Sequence, residues 1–97
     1  MPRIETSLCF DTDDPCLDGH FPGNPIVPAV AILAALTAEM EAATGRRVVE
    51  VAAARFRRPL APGVRWPVVI ELGPDGIATA TSGANGRPVL SVRMVLA

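Results

Sequence analysis

Apolar and polar residues alternate imperfectly from Arg3 to Phe10, with Ile4, Ser7 and Cys9 out of step. This predicts a strand that runs into the acidic, turn-rich DTDDP of 11–15. A loop follows to His20. From Ala29 to Thr44 no helix breaker occurs before Gly45, and Pro28 suits the first helical position, where its missing N–H would be unpaired anyway. The first half of this helix is apolar on nearly every face, which predicts a helix surrounded by protein; Glu39 and Glu41 come only near its end. Arg47 to Arg57 reads as a strand, broken by Pro59, Pro62 and Gly63 before the valine- and isoleucine-rich Val64 to Leu72. Gly73 to Gly76 is a turn by composition. Ile77 to Ser82 and Pro88 to Leu96 give two more strands separated by 83–86, the last with Leu90, Val92, Met94 and Leu96 on one side. One strand, one long helix and four strands predict an α+β domain in which an antiparallel sheet of about five strands wraps a central helix. Periodicity alone leaves other α+β packings open.

The 97 residues form a single domain, 1–97, that buries roughly 60–65% of its unfolded surface, so an oligomer interface adds needed stability. The longest apolar run, Ile26 to Leu36, is interrupted by Pro28 and too short to span a bilayer despite a mean hydropathy of +0.34. No membrane association is expected. MPRIETSLCF lacks a charged-then-apolar signal pattern, and Cys9 and Cys16 lack the spacing of a metal site or a disulfide framework, so the expected location is the cytoplasm. A net charge of −1 gives no general pull toward nucleic acid. Every basic residue is arginine, and Arg55, Arg57 and Arg58 cluster around Phe56. Arg46 and Arg47 follow the helix, where arginines complement its dipole. With one histidine, no cysteine pair at ligand spacing and no glycine-rich phosphate loop after a strand, neither a metal nor a nucleotide cofactor is implied.

Chemistry concentrates in His20 to Leu33, HFPGNPIVPAVAIL. Pro22, Pro25 and Pro28 hold the approach stiff and non-helical, delivering an imidazole near a helix start. Such an end carries unpaired N–H donors and partial positive charge, which suit a carbonyl or a developing oxyanion. Imidazole has a pKa near neutrality and suits a general base.

HFPGNPIVPA resembles the HFPGxPxxPG signature of the hotdog-fold β-hydroxyacyl-thioester dehydratases of fatty acid and polyketide synthesis. ARFRRPLAPG, from Ala54 to Gly63, is similar to a second segment of that family at a comparable distance. The two matches, in the right order, run across the chain, and its length looks most like the small members associated with aryl polyene and related polyketide pathways. The resemblance implies a hotdog fold whose chains join sheets side by side, as a homodimer or as a heterodimer with another hotdog subunit. It implies that His20 is the base and that the Ala29 backbone N–H holds the thioester oxygen, with Phe21, Gly23, Pro28, Ala34 and Ala38 lining the site. Arg57 and Arg58 would flank the tunnel mouth and meet an acyl carrier protein; the plainer reading of both is solvated surface.

Two departures stand out. Ala29 replaces the family's usual glycine, which keeps the donor but adds a methyl group where substrate approaches. The family's catalytic carboxylate falls fourteen residues after the histidine, which is Ala34 here, and its polar neighbour one turn later matches Ala38. Glu41 lies ~20° around the helix from Ala34 but ~10 Å along it, and Glu39 lies ~140° away. Asp14 and Asp18 are loop candidates for the missing acid, although acids in such a stretch more often form turns. Two functions remain open. One is a β-hydroxyacyl-carrier-protein dehydratase subunit whose acid comes from elsewhere, a partner chain above all. The other is a non-catalytic acyl-thioester-binding or scaffolding subunit that pairs with an active hotdog chain. A hotdog thioesterase fits least, because that chemistry usually wants a helix carboxylate.

Overall fold

A computed structural model describes residues 3–13, 26–84 and 87–97. Its elements are β1 (Arg3–Cys9), α1 (Ala29–Thr44), β2 (Val48–Phe56), β3 (Arg65–Leu72), β4 (Ile77–Ala84) and β5 (Arg87–Leu96). The helix occupies the bounds expected from Pro28 and Gly45. Pro28 is extended, with φ −67° and ψ 148°, and Gly45 closes the last turn at φ 67°, its N–H donating to the Glu41 carbonyl at 2.9 Å.

The five strands form one antiparallel sheet in the order β1-β3-β4-β5-β2. β3, β4 and β5 follow one another as neighbours, but β2 pairs with β5 and β3 pairs with β1. Residues 57–64 therefore carry the chain across the sheet rather than around a tight turn, a path that strand periodicity does not reveal.

One stripe of α1, Ile32, Leu36 and Met40, is buried at i, i+4, i+8 and belongs to one core with Val68, Ile70, Ala78, Ala80, Leu90, Val92 and Met94. Leu90, Val92, Met94 and Leu96 all face inward, as the alternation of β5 predicts. The opposite helix face differs from expectation. Val30 is 74% exposed, and Ala34 and Ala38, on the same stripe, are exposed too. A single sheet covers only one side of a helix, so apolar residues beyond that side stay uncovered in one chain. β2 is likewise exposed along nearly its whole length, with Val49 and Val51 at 60% and 41%.

The two carboxylates of α1 tie opposite edges of the sheet to the helix. Glu39 Oε2 accepts from the Thr6 hydroxyl of β1 at 3.0 Å, and Glu41 Oε2 accepts from the Val48 N–H of β2 at 2.9 Å. Among the described residues no helix is long and apolar enough to cross a membrane.

Candidate functional site

Three segments distant in sequence meet at the start of α1. The Val27 N–H donates to the Leu60 carbonyl at 3.0 Å, joining the approach to the helix with the crossing segment. The Gly63 N–H donates to the Phe10 carbonyl at 2.6 Å, with Gly63 at φ 78°, a conformation that glycine adopts without strain. Trp66 Nε1 donates to the Ala61 carbonyl at 3.2 Å. Leu60, between two prolines, is fully buried beneath this junction.

The junction encloses a cleft of ≈ 290 Å³ lined by Ile26, Val27, Pro28, Ala29 and Ile32 on the helix side and by 56–60 on the other. The walls are mainly apolar, and Arg57 and Arg58 contribute the charge. Among the described residues no side chain caps the start of α1, its first turn holds no acid, and the Pro28 carbonyl accepts from Ala31 and Ile32 at 3.0 and 3.2 Å. Among the described residues nothing accepts a hydrogen bond from the Ala29 or Val30 N–H. An exposed, uncapped N–H pair at the positive end of a helix can hold a carbonyl oxygen or an oxyanion.

Of the residues singled out in the sequence, Pro28, Ala29, Arg57 and Arg58 line this cleft together. Ala34 and Ala38 do not line it in the single chain; they lie further along the exposed helix face. His20, Phe21 and Gly23, with Asp14, Cys16 and Asp18, lie outside the described residues. Glu39 and Glu41, weighed as replacements for the missing acid, are half-buried and already accept from Thr6 and Val48. Phe56, read as core from its strand, also forms part of the cleft wall. Sequence reasoning missed Leu60 and Val27. Their bond joins residues far apart in the chain; the one local hint is an apolar residue set among Pro59, Pro62 and Gly63. Cys9 is exposed and free. Among the described residues no group of three or more His, Cys, Asp or Glu comes together as a metal site would require.

The family described as ApeI-like, ApeI dehydratase, matches residues 1–82. A 3-hydroxyacyl-[acyl-carrier-protein] dehydratase, FabZ, of Mannheimia succiniciproducens is 37% identical over 88 residues, covering 78% of this chain and 59% of that relative. FabZ of Haemophilus influenzae (strain 86-028NP) is 31% identical over 102 residues, covering 91% and 69%. The chain thus spans about three fifths of the first of these relatives. Among solved structures, the dehydratase heterocomplex ApeI:P from Xenorhabdus doucetiae superposes with a TM-score of 0.81 at 21% identity, covering 97% of this chain and 86% of that one. A protein from Erwinia carotovora subsp. atroseptica also reaches 0.81, at 24% identity, covering 98% and 82%. At such identities the likeness establishes the fold, a five-stranded antiparallel sheet around one helix. With that hotdog α+β architecture and a family match that takes in most of its length, the chain belongs to the ApeI-like dehydratase family, related to FabZ.

Proposed function

We propose that this chain is a dehydratase-like hotdog subunit that takes a β-hydroxyacyl thioester, carried by an acyl carrier protein, in fatty acid- or polyketide-type chain building. The observation that carries the reading is the apolar cleft set against an uncapped helix start, with the Ala29 N–H beside it and Arg57 and Arg58 in its wall. The thioester oxygen accepts from Ala29 N–H while His20 removes the proton next to the carbonyl. The electrons of that C–H bond form the α,β double bond, the β C–O bond breaks, and the departing hydroxyl takes a proton from an acid to leave as water.

That acid is the missing part. Ala34 and Ala38 bring no carboxylate, and Glu39 and Glu41 are occupied in tying down β1 and β2. A second hotdog chain with a carboxylate on its helix supplies the acid in this reading; the similarity to a chain of the dehydratase heterocomplex ApeI:P supports it. The same four residues support the second reading, a subunit that binds the thioester without transforming it. Removing one of two cooperating groups typically abolishes far more than half of the rate.

Dehydration of a β-hydroxyacyl carrier protein, followed by the loss of water in the mass of the acyl group, separates the two. The wild type, His20→Ala and Ala34→Asp are compared, alone and mixed with a second ApeI-like chain that carries the helix carboxylate. Activity only in the mixture, lost in His20→Ala, supports the first reading. Binding of the thioester without dehydration in any mixture leaves the second, and Ala34→Asp is expected to give the chain alone measurable turnover. Full activity of the wild type alone overturns the need for a partner's acid.

A further inference from the structure

Arg55, Arg57 and Arg93 lie together on the outer face of the sheet, away from the helix. β2 and β5 pair Arg55 with Ser91 and Ala53 with Arg93, and β4 pairs Thr79 with Arg93, so these positions share one face. Arg57 extends the row, its N–H donating to the Val89 carbonyl at 2.8 Å. Arg55, Arg57, Arg93, Thr79 and Ser91 line one depression of ≈ 370 Å³. Ala53 and Ala54 complete it, and their small side chains leave the guanidinium groups uncovered.

Placing Arg55 and Arg93 as diagonal neighbours costs stability unless an anion intervenes. Among the described residues none is supplied. Among those residues the side chains of Arg55, Arg93, Arg57 and Arg58 donate no hydrogen bond and join no ion pair, and the one ion pair there links Arg3 with Glu5. The nearest acids are Glu71 and Asp75, which line a neighbouring depression with Arg93 without forming an ion pair to it, and Glu50 near the far end of β2. The chain as a whole carries a net charge of −1, yet Arg55, Arg57 and Arg93 gather here without an ion pair among the described residues.

Arg57 belongs both to this depression and to the cleft at the helix start. A protein seated on the arginine face therefore lies next to the cleft. We infer that this outer face of β2 and β5 is the docking surface for the acidic protein that presents the thioester, with Arg55 and Arg93 as its anchoring charges. The inference rests on the proposed reading of the cleft. The row from the level of Arg93 to Arg57 runs ~13 Å along the strand, too long for one phosphate, whereas carboxylates spaced ~6–7 Å apart on a protein surface meet successive guanidiniums. No aromatic side chain lines the depression to stack a nucleotide base.

The test follows association of the full chain with a holo acyl carrier protein, unloaded and loaded with a 3-hydroxyacyl group, at low and high salt. The same acyl group on N-acetylcysteamine serves as a carrier-free thioester. Arg55→Glu/Arg93→Glu is expected to slow association with both carrier forms about 10-fold or more at low salt, with little change in dissociation. The difference should shrink at high salt, and binding of the carrier-free thioester should be unchanged. Arg55→Gln/Arg93→Gln should give a smaller loss in the same direction, and Arg3→Glu/Arg47→Glu, the same charge change outside the depression, should give little. Wild-type association rates in the Arg55→Glu/Arg93→Glu variant, or an equal loss in the Arg3→Glu/Arg47→Glu control, would overturn the surface. A wild type that binds the unloaded carrier through Arg55 and Arg93 but no thioester would overturn the reading of the cleft and leave the surface standing. Failure to bind either carrier form overturns the surface, whatever the carrier-free thioester does.

Discussion

Glu39 and Glu41 decide how Ala34 is to be understood. A carboxylate elsewhere on α1 is the simplest source of the acid that the proposed dehydration needs, but both available ones hold edge strands, one through Thr6 and the other through Val48. Glu41→Ala leaves the Val48 N–H without its partner and is expected to cost about 1–2 kcal/mol in urea unfolding, while Glu41→Gln, which keeps an acceptor oxygen, should cost less. Neither change should alter dehydration by an assembled, active complex beyond what lost stability explains; a collapse of turnover in Glu41→Gln with folding intact would make Glu41 the acid after all. The helix start was legible in the sequence, because it rests on residue identity at short spacing. The occupation of the glutamates was not. Glu39 and Thr6 are 33 residues apart, and only the packed fold brings them together.

The boundaries of α1 were equally readable, since Pro28 and Gly45 act on their own backbone. Gly45 holds φ 67° with nothing within 4 Å of where a Cβ would stand, so Gly45→Ala meets no clash and isolates the cost of left-handed backbone. The expected loss is about 1 kcal/mol, seen as a fall in Tm of roughly 4–8 °C, and Gly45→Asn should lose less. An unchanged Tm would mean that the helix ends otherwise in solution. Strand existence followed from alternation and turn residues, but strand order did not. Residues 57–64 look like another turn, yet they cross the sheet and bring Leu60 under Val27, which builds the cleft. A turn and a crossing segment share the same proline- and glycine-rich composition; what separates them is which strand edges are free to pair.

β2 is an edge strand exposed on both sides, and the stripe Val30, Ala34, Ala38 on the helix is exposed as well. Proteins seldom leave such an edge bare, because its unpaired N–H and C=O groups invite another strand. A partner chain against this edge, part of the proposed function, makes Val51 the informative position: it pairs with buried Met94, on the face toward the helix, yet stays 41% exposed. Val51→Lys is expected to reduce the assembly to single chains of 10.2 kDa by light scattering while the far-ultraviolet dichroism of the sheet persists. An unchanged mass would place the interface elsewhere. By itself, the sequence determined the elements, the helix bounds and the motif on which the proposed thioester chemistry rests, since backbone restriction and side-chain period act within a few residues. Only the tertiary structure decided the strand order, the crossing that forms the cleft, the use of Glu39 and Glu41, the bare β2 edge and the gathering of Arg55 with Arg93. Each of those joins residues far apart in the chain, and such pairings are chosen by which surfaces must be buried together rather than by any local preference.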